Sequence, residues 1–168
     1  MVNWNYFPKN ARINDNLIHV IDIFNLHHNK IDSSKHQLNS NKVLECITDD
    51  LYNIGYKVES GKKKENIIRI PVLFGLNGKE IVAYEVDAYN PINKIVIEVE
   101  AGQAVINYKF LKDFFQCCMM YDVEYLCIAV RNRYRTSNDF NRVSDFFESF
   151  YISNRVKVPL KGLLIIGY

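Results

Sequence analysis

Apolar side chains recur at Leu17, Val20, Ile21, Phe24 and Leu26, and that spacing predicts a helix over 14–28. The same period at Val43, Leu44, Ile47, Leu51 and Ile54 predicts a second helix over 40–54, with Gly55 as its stop. Between them Ile31–Ser40 is polar and reads as a loop. Tyr56–Glu59 starts a short strand, and Gly61-Lys62-Lys63-Lys64 makes a basic loop. Residues 67–75 and 81–89 read as two strands joined around Asn77-Gly78, a pair that favours hairpin turns. Pro71 lacks a backbone donor, so the first of them is an edge strand or carries a bulge.

After the turn Asn90–Asn93 comes a strand over 94–100, then a helix over 103–120 that is apolar on more than one side. Tyr125–Val130 is a compact apolar strand. Helix 138–150 follows, with Phe140, Val143, Phe146, Phe147 and Phe150 turned inward, and Leu163–Ile166 forms a closing strand. The strand–helix–strand unit 94–130 implies a right-handed parallel crossover. The expected fold class is α/β with a central mixed sheet flanked by helices (α+β in the looser sense), as one domain over 1–168. Excess apolar surface on 103–120 either packs beneath 138–150 or forms a subunit interface.

Composition excludes several classes. With 48% hydrophobic and 13% aromatic residues the chain is not disordered. Its apolar runs are too short to span a bilayer, and Met1–Arg12 lacks the apolar core of a signal peptide. Cys46, Cys117, Cys118 and Cys127 form no CxxC pair and have no nearby histidine. Reduced thiols in a cytoplasmic protein are expected rather than a zinc site. His19, His27 and His28 have no metal-binding spacing. There is no Ser-His-Asp or Cys-His arrangement and no phosphate-binding glycine loop. A net charge of +2 does not by itself point to nucleic acid.

The densest chemistry lies in 84–102, where Asp87 precedes Glu98-Val99-Glu100. Strand side chains alternate, so Glu98 and Glu100 share a face. If the strands 81–89 and 94–100 are neighbours, Asp87 converges on them at the carboxyl end of the second strand. Carboxylates in an apolar strand are expensive to bury unless a cation binds them, and hard oxygen ligands suit Mg²⁺. Read without that cation, the same residues are strand-end carboxylates paired with lysines.

Together with the preceding helix, the meander and the following helix and strand, these residues resemble the PD-(D/E)xK nuclease superfamily. The resemblance covers about 40–130 and leaves an N-terminal helix and a C-terminal helix–strand extension outside that core. Asp87 stands for the first acid and Glu98 for the second. Glu100 stands where the family usually has lysine, as in type II restriction endonucleases that carry ExE, and Val86 replaces the usual proline. The resemblance implies a restriction-endonuclease-like core and a Mg²⁺-dependent DNA endonuclease, with Mn²⁺ able to substitute. Asp87, Glu98 and Glu100 are then the metal ligands, Glu45 is the candidate from the first core helix, and Glu100 or Lys109 assists the water. Duplex DNA is the expected substrate and a cytoplasmic homodimer the expected state, since one site per chain must cut two strands. No membrane and no organic cofactor are expected. The alternatives are a non-catalytic nucleic-acid-binding or assembly module that retains the fold, and a nuclease for RNA or branched DNA.

Arg131, Arg133 and Arg135, with Tyr134 among them, follow the strand 125–130. In a parallel pair with 94–100 they emerge at the carboxylate edge, where arginines can hold phosphates and Tyr134 can pack on a sugar or base. Lys62, Lys63 and Lys64 form a second basic cluster, and Gln103 and Asn107 stand where a phosphate or a metal-bound water could be reached. Read without nucleic acid, both basic groups are ordinary solvated loops.

Overall fold

A computed structural model describes residues 1–61, 66–102 and 104–168. Its main sheet has six strands: β1 (Asn3–Phe7), β2 (Lys57–Val58), β5 (Ala88–Asn90), β6 (Ile95–Glu100), β7 (Tyr125–Val130) and β8 (Gly162–Gly167). They lie in the order β1-β8-β7-β6-β5-β2. The central strands β6, β7 and β8 are parallel, and β1 and β5 pair with them antiparallel. Two further strands, β3 (Ile68–Phe74) and β4 (Glu80–Val86), pair only with each other. The mixed α/β fold expected from the pattern is the fold observed.

Helices cover both faces, because the parallel strands, Glu98 and Glu100 apart, are apolar on each side and must be buried there. Ile95, Ile97, Val99, Cys127 and Ala129 pack against α1 (Asp15–Leu26) and α3 (Ser40–Asn53). Val96, Leu126, Ile128 and Val130 pack on the other face against α4 (Lys109–Met119) and α5 (Asp139–Ser153). Between α1 and α3 lies the single turn α2 (His28–Ile31). Asparagine side chains start three helices: Asn14, Asn39 and Asn138 each accept a first-turn N–H at 2.8–2.9 Å. Such a cap is worth about 1 kcal/mol over alanine.

Part of the apolar surface of α4 is consumed inside the chain. Phe114 packs on Phe147 with ring centroids 4.9 Å apart, and Phe110 meets Phe147 at 5.6 Å. Burying each such ring stabilises the fold by roughly 2–3 kcal/mol. Phe115 and Met119 stay about half exposed on the far side of α4.

Three sequence expectations change. Helix 103–120 is shorter: a 3₁₀ turn at Ile106–Tyr108 leads into Lys109–Met119. The strand 81–89 is two strands, because the chain leaves the β3–β4 ladder after Val86 and joins the main sheet at Ala88. Ile81, Ala83, Glu85 and Asp87 therefore do not share one continuous face. Strand β1 was not foreseen: Asn3-Trp4-Asn5 has little apolar alternation, and its order comes from pairing with β8. Pro71 sits where the β3–β4 register slips, as its missing donor predicts. No described helix is long and apolar enough to cross a membrane.

Candidate active site

Asp87 occupies the joint between β4 and β5. Its backbone carbonyl accepts the N–H of Glu59 at 2.8 Å, and its Oδ2 accepts the N–H of Val99 at 2.7 Å. A side chain thus replaces the strand partner that β5, beginning only at Ala88, cannot offer Val99. The carboxylate is thereby anchored beside β6 just as Glu98 and Glu100 leave that strand.

Alternation puts Glu98 and Glu100 on the α4 side of β6, the side of Val96. Glu100 is only 5% exposed. Its Oε1 and Oε2 receive Lys109 Nζ at 2.7 and 3.0 Å. Tyr168 donates its hydroxyl to the Glu100 carbonyl at 3.3 Å. Lys109 is the first residue of α4, so the helix start brings its ammonium back to the strand end. Pairing with Glu100 outweighs the effect of partial burial and raises the Lys109 pKa, keeping it a cation at neutral pH. It can stabilise negative charge here but cannot take a proton.

One functional candidate was missed by sequence reasoning. Asp113, one turn beyond Lys109, is 6% exposed and lies close enough to Glu100 to feel its charge. Its Oδ2 is buried with no hydrogen-bond partner. The signal was present: Phe110, Asp113, Phe114 and Cys117 form one helical stripe, and an acid inside an apolar stripe is out of place.

These carboxylates resist ionising together. Burial is the main cause for all three that shift, and neighbours add to it. Asp87 is pushed up to about 6, with the Val99 N–H pulling the other way and Glu59 and Glu100 repelling. Glu98 rises well above its usual range through burial and repulsion from Asp87, Asp113 and Glu100. Asp113 also rises, through burial and Glu100. Lys109 and the exposed Lys112 offset only part of that charge. Strongly perturbed acids in one place are a mark of functional sites.

The arrangement is not a finished metal cage. Among the described residues no three His, Cys, Asp or Glu side chains already converge closely enough to hold an ion. Glu100 is turned onto Lys109 and Asp87 onto Val99, which accounts for the open geometry. The donor set still suits a hard divalent cation: oxygen ligands only, more negative than positive charge, and one buried carboxylate oxygen without a partner.

Glu45 is not brought to this group. Its side chain is 66% exposed and pairs with Lys42 at 2.5 Å, on the helix that covers the opposite face of the sheet. Arg131 also differs from expectation. It is 6% exposed and donates to the Leu38 carbonyl, so it does not reach out from the protein as a strand-end arginine would. Arg133 and Arg135 are exposed at the carboxyl edge, with Tyr134 between them. Lys62, Lys63, Lys64 and Gln103 lie outside the described residues.

The chain matches no family model, no curated protein and no solved structure.

Proposed function

We propose that this protein is a divalent-cation-dependent endonuclease acting on DNA, with a core of the PD-(D/E)xK kind. The observation that carries the reading is the gathering of Asp87, Glu98, Glu100 and Asp113 at the carboxyl end of a parallel strand, each buried or partly buried. Open α/β sheets favour that edge for ligands. Asp87, Glu98 and Asp113 would hold Mg²⁺ or Mn²⁺, and Glu100 would complete the set once its contact with Lys109 loosens. The cation would supply an activated water and charge neutralisation at the scissile phosphate.

This chain's own groups have separable tasks in that reading. Asp87 fixes the carboxylate edge against β6 through Val99. Lys109, held as a cation, stabilises the charge that grows on the phosphate oxygens. Asp113, its carboxyl pushed up by burial and by the charge of Glu100, can hold a proton next to the attacking water. Duplex substrate, a two-fold dimer and a cytoplasmic setting belong to the same proposal.

A second reading is favoured by one observation. Lys109 already pairs with Glu100 and no three-ligand cage exists among the described residues, as in a nucleic-acid-binding module that keeps the fold without catalysis. One experiment separates the two. Supercoiled and linear duplex, single-stranded and branched DNA, and RNA are incubated with Mg²⁺ or Mn²⁺, with Glu98→Gln as control. Cation-dependent cutting that is lost in Glu98→Gln supports the nuclease; nucleic-acid binding without cutting or Mn²⁺ affinity supports the module.

A further inference from the structure

Arg131 poses a problem that the carboxylate cluster does not solve. A guanidinium that is 6% exposed should have a charged partner, because burying an unpaired charge is costly. Its contacts are neutral: the Leu38 carbonyl, the Tyr168 hydroxyl, and the Tyr134 ring with the guanidinium 5.2 Å from the centroid. Its Nε is buried without a hydrogen-bond partner. Among the described residues no carboxylate lies within ion-pair distance of Arg131, Arg133 or Arg135.

All three arginines line one cavity of about 280 Å³. Ser33, Ser34 and Gln37 close its other side. Buried Ser33 and Arg131 lie toward its base, whereas Ser34, Arg133 and Arg135 are exposed at its rim. The guanidiniums of Arg131 and Arg135 lie over the Tyr134 ring, at 5.2 and 5.4 Å from its centroid. Ser33 is itself fixed, donating to the Tyr168 carbonyl and accepting the Arg133 N–H at 3.3 Å. The one acid beside the serines, Asp32, is engaged by the Ser34 hydroxyl at 2.6 Å and by Lys35 at 3.2 Å. The cavity is therefore cationic, and its free donors are the guanidiniums.

We propose that this cavity binds a phosphoryl group of nucleic acid, with Arg131 at its base and Arg133 and Arg135 closing over it. Planar guanidiniums match phosphate oxygens two at a time, and the three arginines supply the donors. A terminal monoester presents three free oxygens where an internal diester presents two, so a strand end fills a pocket with a buried base more completely. Alternation puts Arg131 on the Cys127 and Ala129 side of β7, opposite the side that carries Glu98 and Glu100. The pocket and the carboxylates thus share the carboxyl edge of the sheet from its two faces. Naming nucleic acid as the source rests on the endonuclease reading; the anion chemistry stands on the cavity itself.

The test uses the full chain in EDTA, where cutting is not required. Affinities are compared for one oligonucleotide with a 5′-phosphate and its 5′-hydroxyl twin, with inorganic phosphate as competitor, in the wild type and in Arg133→Ala/Arg135→Ala. The expected result is at least tenfold tighter binding of the phosphorylated strand, lost in the double variant, with thermal unfolding unchanged. Equal affinity for the twins that falls tenfold in the variant keeps the phosphoryl pocket and assigns it to internal phosphates. Competition by phosphate with no oligonucleotide binding keeps the anion site and overturns nucleic acid as its source. Binding of strand and phosphate that is the same in the double variant overturns the proposal. Because every arm is read in EDTA, where neither metal nor cutting takes part, failure of the nuclease reading leaves these outcomes distinct.

Discussion

Lys109 Nζ lies 2.7 and 3.0 Å from the two carboxylate oxygens of Glu100, joining the start of α4 to the end of β6. The lysine is still 45% exposed, so the pair itself contributes at most about 1 kcal/mol. Its larger effect is on charge at the edge. Lys109→Met should lower cation-dependent cleavage by roughly 10²-fold while Mn²⁺ affinity holds or rises, since Glu100 is released. Cleavage equal to the wild type would remove Lys109 from the reaction.

Asp87 and Glu98 should behave differently when neutralised. Glu98→Gln should abolish cleavage and leave the fold at least as stable, because it removes repulsion from Asp87, Asp113 and Glu100. Asp87→Asn should also stop cleavage but keep an acceptor for Val99. Asp87→Ala strands that N–H and should cost about 1–3 kcal/mol more than Asp87→Asn. Equal denaturation midpoints for the two Asp87 variants would mean that water replaces the side chain.

Stability of the metal-free protein should depend on pH in a defined sense. Asp87 is raised in the folded state to about 6, and Glu98 and Asp113 are raised too. The folded state therefore holds more protons than the unfolded chain between about pH 4 and the folded values. Stability should be greatest at the acid end of that window and fall as pH rises through 6. For Asp87 alone the loss is on the order of 3 kcal/mol. Urea midpoints in EDTA should be lower at pH 8 than at pH 5, and Glu98→Gln should narrow the gap. Equal midpoints would show that the carboxylates are fully solvated.

Gly102 has φ +92°, and a Cβ there would run into the Tyr134 ring. Gly102→Ala combines backbone strain with that clash, for an expected loss of about 2–4 kcal/mol. It should also weaken phosphorylated-strand binding, since the guanidiniums of Arg131 and Arg135 lie over Tyr134. A variant as stable as the wild type would show that the ring swings aside without consequence.

Much of the fold was legible because the signals were local. Tyr125–Val130 and the start of helix 40–54 were read where they lie, from uninterrupted apolar strand character and a 3.6-residue period. The acids Asp87, Glu98 and Glu100 were legible as a set, because alternation within β6 needs no tertiary knowledge. What escaped depends on distant partners. The break at Asp87 exists because β3–β4 leaves the main sheet, and nothing within 81–89 marks that departure. Arg131 reads as a solvent-facing arginine until the Leu38 carbonyl is known to stand above it, 93 residues away. Asp113 was visible as an acid in an apolar stripe, but only Glu100 gives it meaning.

The joint at Asp87 ties an acid's position to the registers of two ladders. On one side β5 meets β6 through only Ala88–Ile97, Tyr89–Val96 and Asn90–Ile95. Slipping that pairing by one residue would turn its side chains to the other face. The bulged β3–β4 ribbon steers the same residue from the other side. Placement tolerance at this edge is therefore set by a three-rung splice, so a substitution that alters no acid, at Tyr89 or Val96, can misalign the chemistry while leaving the protein folded.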